Sequence, residues 1–123
     1  MSATPTVYVA VVDDDPSVCR SFARLLRASG IQPITYESAE AFLADAKRPR
    51  FDCLVLDVHL GGMSGIELGR LISREGGHAP VIYITAHDDP GTRAGVRDAG
   101  GVAFFSKSDS GADVLAAIRR VTA

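Results

Sequence analysis

Side chains suited to divalent-metal and phosphoryl chemistry follow four apolar runs of the sequence. Three adjacent acids, residues 13–15, follow VYVAVV, and one acid, Asp57, follows CLVL. Thr85 follows VIYI, and Lys107 follows VAFF after one serine. Carboxylates are hard metal ligands and can act as nucleophiles, whereas a hydroxyl and an ammonium can bind phosphoryl oxygens. Taken alone, Thr85 fits a turn and Lys107 a solvated charge equally well, so the prediction of magnesium-assisted phosphoryl chemistry depends on their joint placement.

The three adjacent acids have two different interpretations. Asp15 precedes Pro16, a pair typical of a helix N-cap followed by proline in the first turn, so we interpret Asp15 as a cap rather than a ligand. Asp13 and Asp14 come directly after a run typical of a buried strand, and adjacent carboxylates there repel each other unless a cation offsets their charge. These two residues therefore indicate a cation site.

The elements that must position these residues alternate between strands and helices along the whole chain. Strands are predicted at Val7 to Val12, Ile31 to Tyr36, Cys53 to Leu56, Val81 to Ile84 and Val102 to Phe105. Helix N-caps are predicted at Asp15, Ser38, Ser64, Asp89 and Ser110. Five βα units of this kind predict an α/β fold with a five-stranded parallel sheet, doubly wound, with helices on both faces. Ligands bind beyond the carboxyl ends of the strands in such sheets, which is where the residues above lie.

Two of the helices carry more specific predictions. The second helix is expected to run from Ser38 through Ala46 and to end by Pro49, because proline cannot continue a helix. The fourth helix is expected to be weak, because Gly95 lies in its interior and glycine has a low helix propensity.

Composition and charge exclude several classes of protein. A length of 123 residues corresponds to one domain, and hydrophobic and charged fractions of 46% and 23% are typical of globular proteins in water. No apolar run approaches the roughly 20 residues of a membrane span, and the N-terminus lacks the features of a secretory signal, so a cytoplasmic location without membrane contact is expected. A net charge of −2 offers no basic face, so we expect no direct nucleic-acid binding. Cys19 and Cys53 are interpreted as small buried residues rather than redox groups.

Four segments carry a resemblance to a known family. VVDDDPSV, LVLDVHLGGMSGIEL, VIYITAHDD and FFSKS occur in this order, and four motifs in register are specific where one would be weak. Over residues 6–121 the chain resembles the receiver domain of two-component response regulators, closest to receivers of the type fused to helix-turn-helix outputs. The resemblance implies the flavodoxin-like receiver fold with strand order 2-1-3-4-5. It also implies that residues 1–123 form a single receiver domain, with no output domain in this chain.

The resemblance implies a phosphorylation site and a metal site. Asp57 is expected to accept a phosphoryl group from the phosphohistidine of a histidine kinase or a histidine phosphotransfer protein. Asp14, Asp57 and the main-chain carbonyl of His59 are expected to bind Mg²⁺ or Mn²⁺, with Asp13 acting through water. The domain would promote only its own phosphorylation and dephosphorylation, so we expect a signalling protein rather than an enzyme.

The resemblance also implies a conformational switch. Lys107 and the hydroxyl of Thr85 are expected to contact phosphoryl oxygens, and the inward movement of Thr85 would free space for Phe104 to turn. The surface of the fourth helix, fifth strand and fifth helix would then be reshaped for homodimerisation, or for docking an effector or output domain outside the chain. Plain core packing is the alternative interpretation of Phe104.

Four positions qualify these expectations. Gly61 stands where the family usually has a proline and is followed by a second glycine, which widens the conformational space of the loop. Ser108 follows Lys107 where the family usually has a proline in a cis linkage, so a trans bond is expected here. His59 and His87 occupy positions that influence loss of the phosphoryl group in the family, and exposed loop histidines without a role are the alternative.

Two other classes of protein share parts of this pattern. A phosphatase of the aspartate-nucleophile class also uses Mg²⁺ and an acid at a strand end, but it requires a DxD sequence, and Asp57 is followed by Val58 and His59. A flavodoxin-like FMN carrier shares the layered fold, but it requires a hydroxyl-rich phosphate loop after the first strand, where this chain has acids. Both remain alternatives to the receiver interpretation, and the absorbance spectrum of the purified protein distinguishes the flavin carrier.

Overall fold

Strands and helices alternate along the chain in the computed structural model, which describes residues 5–123. The strands are β1 (Tyr8–Val12), β2 (Gln32–Tyr36), β3 (Cys53–Asp57), β4 (Val81–Thr85) and β5 (Ala103–Ser106). The helices are α1 (Pro16–Ala28), α2 (Ala39–Ala44), α3 (Gly65–Arg74), α4 (Pro90–Asp98) and α5 (Gly111–Thr122). All neighbouring strands pair in parallel in the order β2-β1-β3-β4-β5. The predicted α/β class and the strand order 2-1-3-4-5 are therefore confirmed.

The helices begin where local side-chain chemistry predicts. Each predicted cap accepts a hydrogen bond from a backbone N–H in the first turn, at 2.8–3.1 Å, and these caps are Asp15, Ser38, Ser64, Asp89 and Ser110. The longest helix, α1, has 13 residues. Within residues 5–123 no helix combines the length and the apolar character that crossing a membrane requires.

The sheet is buried on both faces because successive side chains of a strand point to opposite sides. The core between one face and helices α1 and α5 contains Val9, Val11, Leu26, Val55, Ile82, Ile84, Val114 and Ile118. The core between the other face and helices α2, α3 and α4 contains Ala10, Val12, Phe42, Leu54, Leu56, Leu68, Tyr83 and Val96. Every residue of β3 is buried, so the central strand is fixed from both sides and delivers Asp57 to a defined position.

Helix α2 is shorter than predicted. It ends at Ala44, and the prediction that it runs through Ala46 is wrong. The carboxylate of Asp45 accepts a hydrogen bond of 2.7 Å from the hydroxyl of Tyr36, and the guanidinium of Arg48 donates to three carbonyls of the last turn at 3.1–3.4 Å. These contacts satisfy the carbonyls at the helix end and turn the chain away from the helix axis.

Candidate functional site

The carboxyl ends of four strands bring the predicted site residues to one edge of the sheet. In register, Asp57 of β3 pairs with Ile84 of β4, and Thr85 of β4 pairs with Ser106 of β5. Asp13 directly follows the last residue of β1. Because all strands are parallel, the segments that follow them leave the sheet at the same edge.

Three carboxylates form a cluster at this edge. One carboxylate oxygen each of Asp13, Asp14 and Asp57 lies within 4.8 Å of the others. Asp13 and Asp57 are buried, whereas Asp14 is exposed. Burial raises the pKa of the Asp13 carboxyl, opposed by hydrogen bonds from the Asp15 N–H and from Lys107. The neighbouring Asp57 carboxylate raises this pKa further, by a smaller amount than burial does.

Lys107 lies inside the carboxylate cluster. Its Nζ is 2.9 Å from Oδ2 of Asp57, and 3.1 and 2.9 Å from Oδ1 and Oδ2 of Asp13. Its backbone N–H donates to the carbonyl of Thr85 at 2.8 Å, which fixes the start of the segment that follows β5. Burial lowers the pKa of Lys107, but the hydrogen bonds to Asp57 and Asp13 and the attraction of their charges together outweigh burial, so the net pKa is raised. Lys107 is therefore a charged partner of two buried acids and not a solvated surface charge.

The donor set fits a hard divalent cation. Both oxygens of the buried Asp13 carboxylate face the Lys107 ammonium, with Oδ2 2.9 Å from Nζ in an ion pair. Three carboxylates and one ammonium have formal charges of −3 and +1, which leaves −2 in the cluster. Carboxylate and main-chain carbonyl oxygens are the ligands that Mg²⁺ and Mn²⁺ prefer.

The loop between β3 and α3 is closed tightly around Asp57. The N–H of His59 donates to Oδ1 of Asp57 at 3.1 Å, and the N–H of Gly65 donates to the carbonyl of Val58 at 3.1 Å. A Cβ at position 65 would overlap the carbonyl oxygen of Asp57, so only glycine allows this approach. The loop thus orients both the carboxylate of Asp57 and the backbone of His59.

The hydroxyl of Thr85 is engaged with its own loop. Thr85 is fully buried, and its Oγ1 donates to the carbonyl of His87 at 3.1 Å and accepts from the N–H of His87 at 3.0 Å. This pair of bonds ties the β4–α4 loop to the end of β4.

The trans peptide bond expected between Lys107 and Ser108 is confirmed, so the lysine reaches the acids without a cis linkage.

Phe104 belongs to β5 and is partly buried. Its ring packs against the apolar face that contains Tyr83, and the guanidinium of Arg93 lies 5.7 Å from the ring centroid. Arg93 also forms a two-bonded ion pair with Asp88 of the β4–α4 loop. A chain of contacts therefore runs from the loop that Thr85 holds to the Phe104 ring.

His59 and His87 are exposed and their rings meet edge to face, with centroids 5.9 Å apart. Each follows a strand that contributes a site residue, so the pair lies beside the carboxylate edge. Their influence on loss of the phosphoryl group stays a prediction.

The sequence did not identify two side chains that contact the loops of the site. Glu40 accepts a hydrogen bond from the N–H of Met63 at 3.0 Å, across 23 residues of sequence. Arg93 joins the β4–α4 loop to Phe104, as described above. One feature of the sequence could have indicated such a contact for Glu40. The glycine pair after Asp57 has wide conformational freedom, so an ordered loop needs a side chain from another segment to hold it.

Comparison with known proteins agrees with this geometry. The family model for the response regulator receiver domain matches residues 9–119. The response regulator protein TmoT of Ectopseudomonas mendocina is 35% identical over 111 residues, which cover 90% of this chain and 50% of TmoT. The transcriptional regulatory protein FixJ of Azorhizobium caulinodans is 36% identical over 111 residues, which cover 90% of this chain and 53% of FixJ. The chain spans about half the length of these relatives.

Solved structures give the same result. The crystal structure of FixJ-N is 34% identical and superposes with a TM-score of 0.86, covering 97% of this chain and 95% of that one. A CheY-like receiver domain protein from Methanospirillum hungatei superposes with a TM-score of 0.87 over 94% of this chain and 93% of that one, and at 22% identity it supports the fold alone. The chain therefore belongs to the receiver domain family of response regulators, the signalling proteins of two-component systems.

Proposed function

We propose that this domain accepts a phosphoryl group on Asp57 from the phosphohistidine of a histidine kinase or a histidine phosphotransfer protein. The observation that carries the proposal is the contact of the buried Asp57 carboxylate with Lys107, 2.9 Å away, beside two further acids. Membership of the receiver family supports the same role.

The chemistry of this transfer is a displacement at phosphorus. A carboxylate oxygen of Asp57 attacks the phosphorus atom and forms an acyl phosphate. The P–N bond of the donor breaks, and the imidazole nitrogen keeps the electron pair and takes up a proton. Catalysis of phosphoryl transfer depends on positioning and on stabilising the charge of the phosphoryl oxygens. Lys107 is placed to contribute such charge, because its ammonium already contacts the nucleophile.

We assign the metal ligands as the carboxylates of Asp14 and Asp57 and the main-chain carbonyl of His59, with Asp13 acting through water. The group would be Mg²⁺ or Mn²⁺, and when bound it would draw charge from the phosphoryl oxygens. The three clustered carboxylates and the formal charge of −2 that remains after Lys107 is counted support this assignment.

The switch that we propose begins at Thr85. Its Oγ1 would exchange its two bonds with His87 for a bond to a phosphoryl oxygen, which would release the β4–α4 loop. Arg93 connects that loop to Phe104, so the ring and the surface of α4, β5 and α5 would respond together. This is a shift between two packed states, and the reshaped surface would bind a second copy, an effector or an output domain.

The remaining assignments concern the extent of the domain, its class of activity, its nucleic-acid binding and its location. We assign residues 1–123 to one receiver unit that signals rather than catalyses the turnover of a substrate. The net charge of −2 supports a unit that does not itself bind nucleic acid, so any DNA binding would belong to another domain. We also propose a cytoplasmic location without membrane contact, which membership of the receiver family supports.

Phosphorylation of variants by a small donor tests the proposal. With acetyl phosphate and Mg²⁺, we expect mass spectrometry to detect one phosphoryl group on the native domain and none on Asp57→Asn. Asp52→Asn is the matched control, because Asp52 precedes the same strand at its opposite end. Equal incorporation by Asp57→Asn, or incorporation that does not depend on a divalent cation, would contradict the proposal.

A further inference from the structure

The loop after Asp57 has two well-held ends and a weak middle. Leu60 is buried, and Met63 packs partly buried against the same apolar cluster. Between them lie Gly61 and Gly62, which have no side chains to anchor and the widest conformational freedom of any residues. A loop of this composition does not fix its own shape, although the main-chain carbonyl of His59 must point in one direction to be a ligand.

Glu40 of α2 reaches across to this weak middle. Its Oε2 accepts a hydrogen bond of 3.0 Å from the N–H of Met63. The carboxylate also lies directly over Gly62, because a Cβ built there would be 2.9 Å from Oε2 and 3.3 Å from Oε1. Glu40 therefore contacts both residues that follow the first glycine of the pair.

Two backbone N–H groups, one from the loop and one from α2, stabilise the charged form of the Glu40 carboxylate. The N–H of Met63 lowers the pKa of Glu40, and the N–H of Glu40 itself, in the first turn of α2, lowers it further. Gly62 has a φ of +76°, a left-handed conformation that side chains other than glycine rarely adopt. In this conformation the Met63 N–H faces the Glu40 carboxylate.

We propose that Glu40 is a positioning residue for the phosphorylation site: by binding the N–H of Met63 above Gly62, it holds the glycine pair and so orients the His59 carbonyl for the divalent cation. The inference rests on the proposed function, because it concerns the same metal and the same acceptor. It assigns to α2 a contribution to a site that otherwise draws on segments following β1, β3, β4 and β5.

The main test separates cation affinity from the rate of transfer. Phosphorylation of Asp57 by acetyl phosphate is measured over a range of Mg²⁺ concentrations for the native domain and for Glu40→Ala. We expect Glu40→Ala to raise the Mg²⁺ concentration for half-maximal rate roughly tenfold, the lower end of the effect of groups that orient metal ligands. The phosphorylation rate at saturating Mg²⁺ should stay close to native, because the bound cation then orders the loop in place of Glu40.

Two variants distinguish the hydrogen bond from the charge. Glu40→Gln keeps an oxygen acceptor for Met63 and removes the charge, so we expect its Mg²⁺ requirement to stay close to native. Glu75→Ala removes an exposed acid at the far end of α3 and should have no effect. Equal shifts for Glu40→Gln and Glu40→Ala would assign the effect to long-range charge and overturn the proposal, as would an equal shift for Glu75→Ala.

The neighbouring glycines provide a second, independent pair of variants. A Cβ at Gly61 meets nothing within 4 Å, whereas a Cβ at Gly62 would strain the left-handed backbone and also displace the Glu40 carboxylate. We expect Gly62→Ala to weaken Mg²⁺ binding more than Gly61→Ala does. The effect of Gly62→Ala should be smaller when Glu40→Ala is already present, and strictly additive effects would contradict a shared contact.

Calorimetric titration with Mg²⁺, without a phosphoryl donor, separates this inference from the proposed function. Native domain that binds Mg²⁺ and is phosphorylated on Asp57, with Glu40→Ala unchanged in both, would overturn the role of Glu40 alone. Native domain that is not phosphorylated would overturn the proposed function, while a weaker Mg²⁺ affinity of Glu40→Ala would still support the positioning role. Circular dichroism of each variant confirms that the fold is intact before the comparison is made.

Discussion

The hydroxyl of Tyr83 is buried in the apolar core without a hydrogen-bond partner among the described residues. A buried hydroxyl that accepts and donates nothing loses its bonds to water on folding. We expect Tyr83→Phe to raise the free energy of unfolding by about 1 kcal/mol, measured by urea denaturation. The ring itself stays in place, so packing is unchanged.

Tyr36→Phe is the matched control for this prediction. The hydroxyl of Tyr36 donates to Asp45 at 2.7 Å and helps to end α2, so its loss should destabilise the domain. Removing the hydroxyl is thus expected to raise the free energy of unfolding at Tyr83 and to lower it at Tyr36. A destabilised Tyr83→Phe variant would show that the hydroxyl has a partner, such as a buried water.

Residues whose role depends on near neighbours were predictable from the sequence, and residues with distant partners were not. The cap at Asp15 could be predicted because its acceptor oxygen binds a backbone N–H two residues away. Glu40 binds a residue 23 positions away, and nothing in its local sequence indicates that contact. The acids of the site were predictable because strand ends gather at one edge, but the two ion pairs that Lys107 forms with Asp13 and Asp57 were not.

At the scale of elements, α3 and α4 each contain a glycine whose replacement should act in opposite directions. Gly69 of α3 lies against β4, and a Cβ there would overlap the Tyr83 hydroxyl oxygen. Gly95 of α4 faces the flexible end of Ile66, 3.1 Å from an added Cβ. We expect Gly69→Ala to destabilise the domain by about 2 kcal/mol through overpacking, and Gly95→Ala to stabilise it by about 0.5 kcal/mol through helix propensity.

Urea denaturation of the single and double variants checks this pair. Gly69→Ala combined with Tyr83→Phe should recover much of the lost stability, because removal of the hydroxyl leaves an added Cβ 3.2 Å from the nearest ring carbon. Independent effects of Gly69→Ala and Tyr83→Phe would show that the helix and the strand do not contact as described.

The ends of elements were less predictable than their beginnings. Caps fix the first turn by short-range hydrogen bonds, whereas α2 ends at Ala44 because Asp45 binds Tyr36 from the neighbouring strand. Proline at position 49 could not indicate this, since it excludes a longer helix without specifying a shorter one. The weakness expected of α4 from its glycines remains a prediction, and the Gly95→Ala variant tests it.

At the scale of the whole molecule, two buried thiols couple stability to alkaline pH. Burial raises the pKa of Cys19 to about 11 and that of Cys53 to about 12, from 9.0 when exposed. A raised pKa in the folded state contributes stability that is complete below pH 9 and is lost as the pH rises through the folded values. We therefore expect the free energy of unfolding to fall as the pH rises from about 9 through the folded pKa values of about 11 and 12, as measured by urea denaturation. The Cys19→Ala/Cys53→Ala variant should show a flatter decline, and an unchanged slope would assign the decline to other groups.

Binding of a divalent cation should stabilise the whole domain, because the cluster that needs the charge forms only when the strand ends are brought together. At a Mg²⁺ concentration a hundred times the dissociation constant, the expected gain in the free energy of unfolding is about 2.7 kcal/mol. Asp14→Asn removes a proposed ligand and one source of repulsion, so it should be more stable than native without Mg²⁺ and gain little from adding it. Asp98→Asn, an exposed acid at the end of α4, should keep the full gain. A full gain in Asp14→Asn would place the cation elsewhere on the domain.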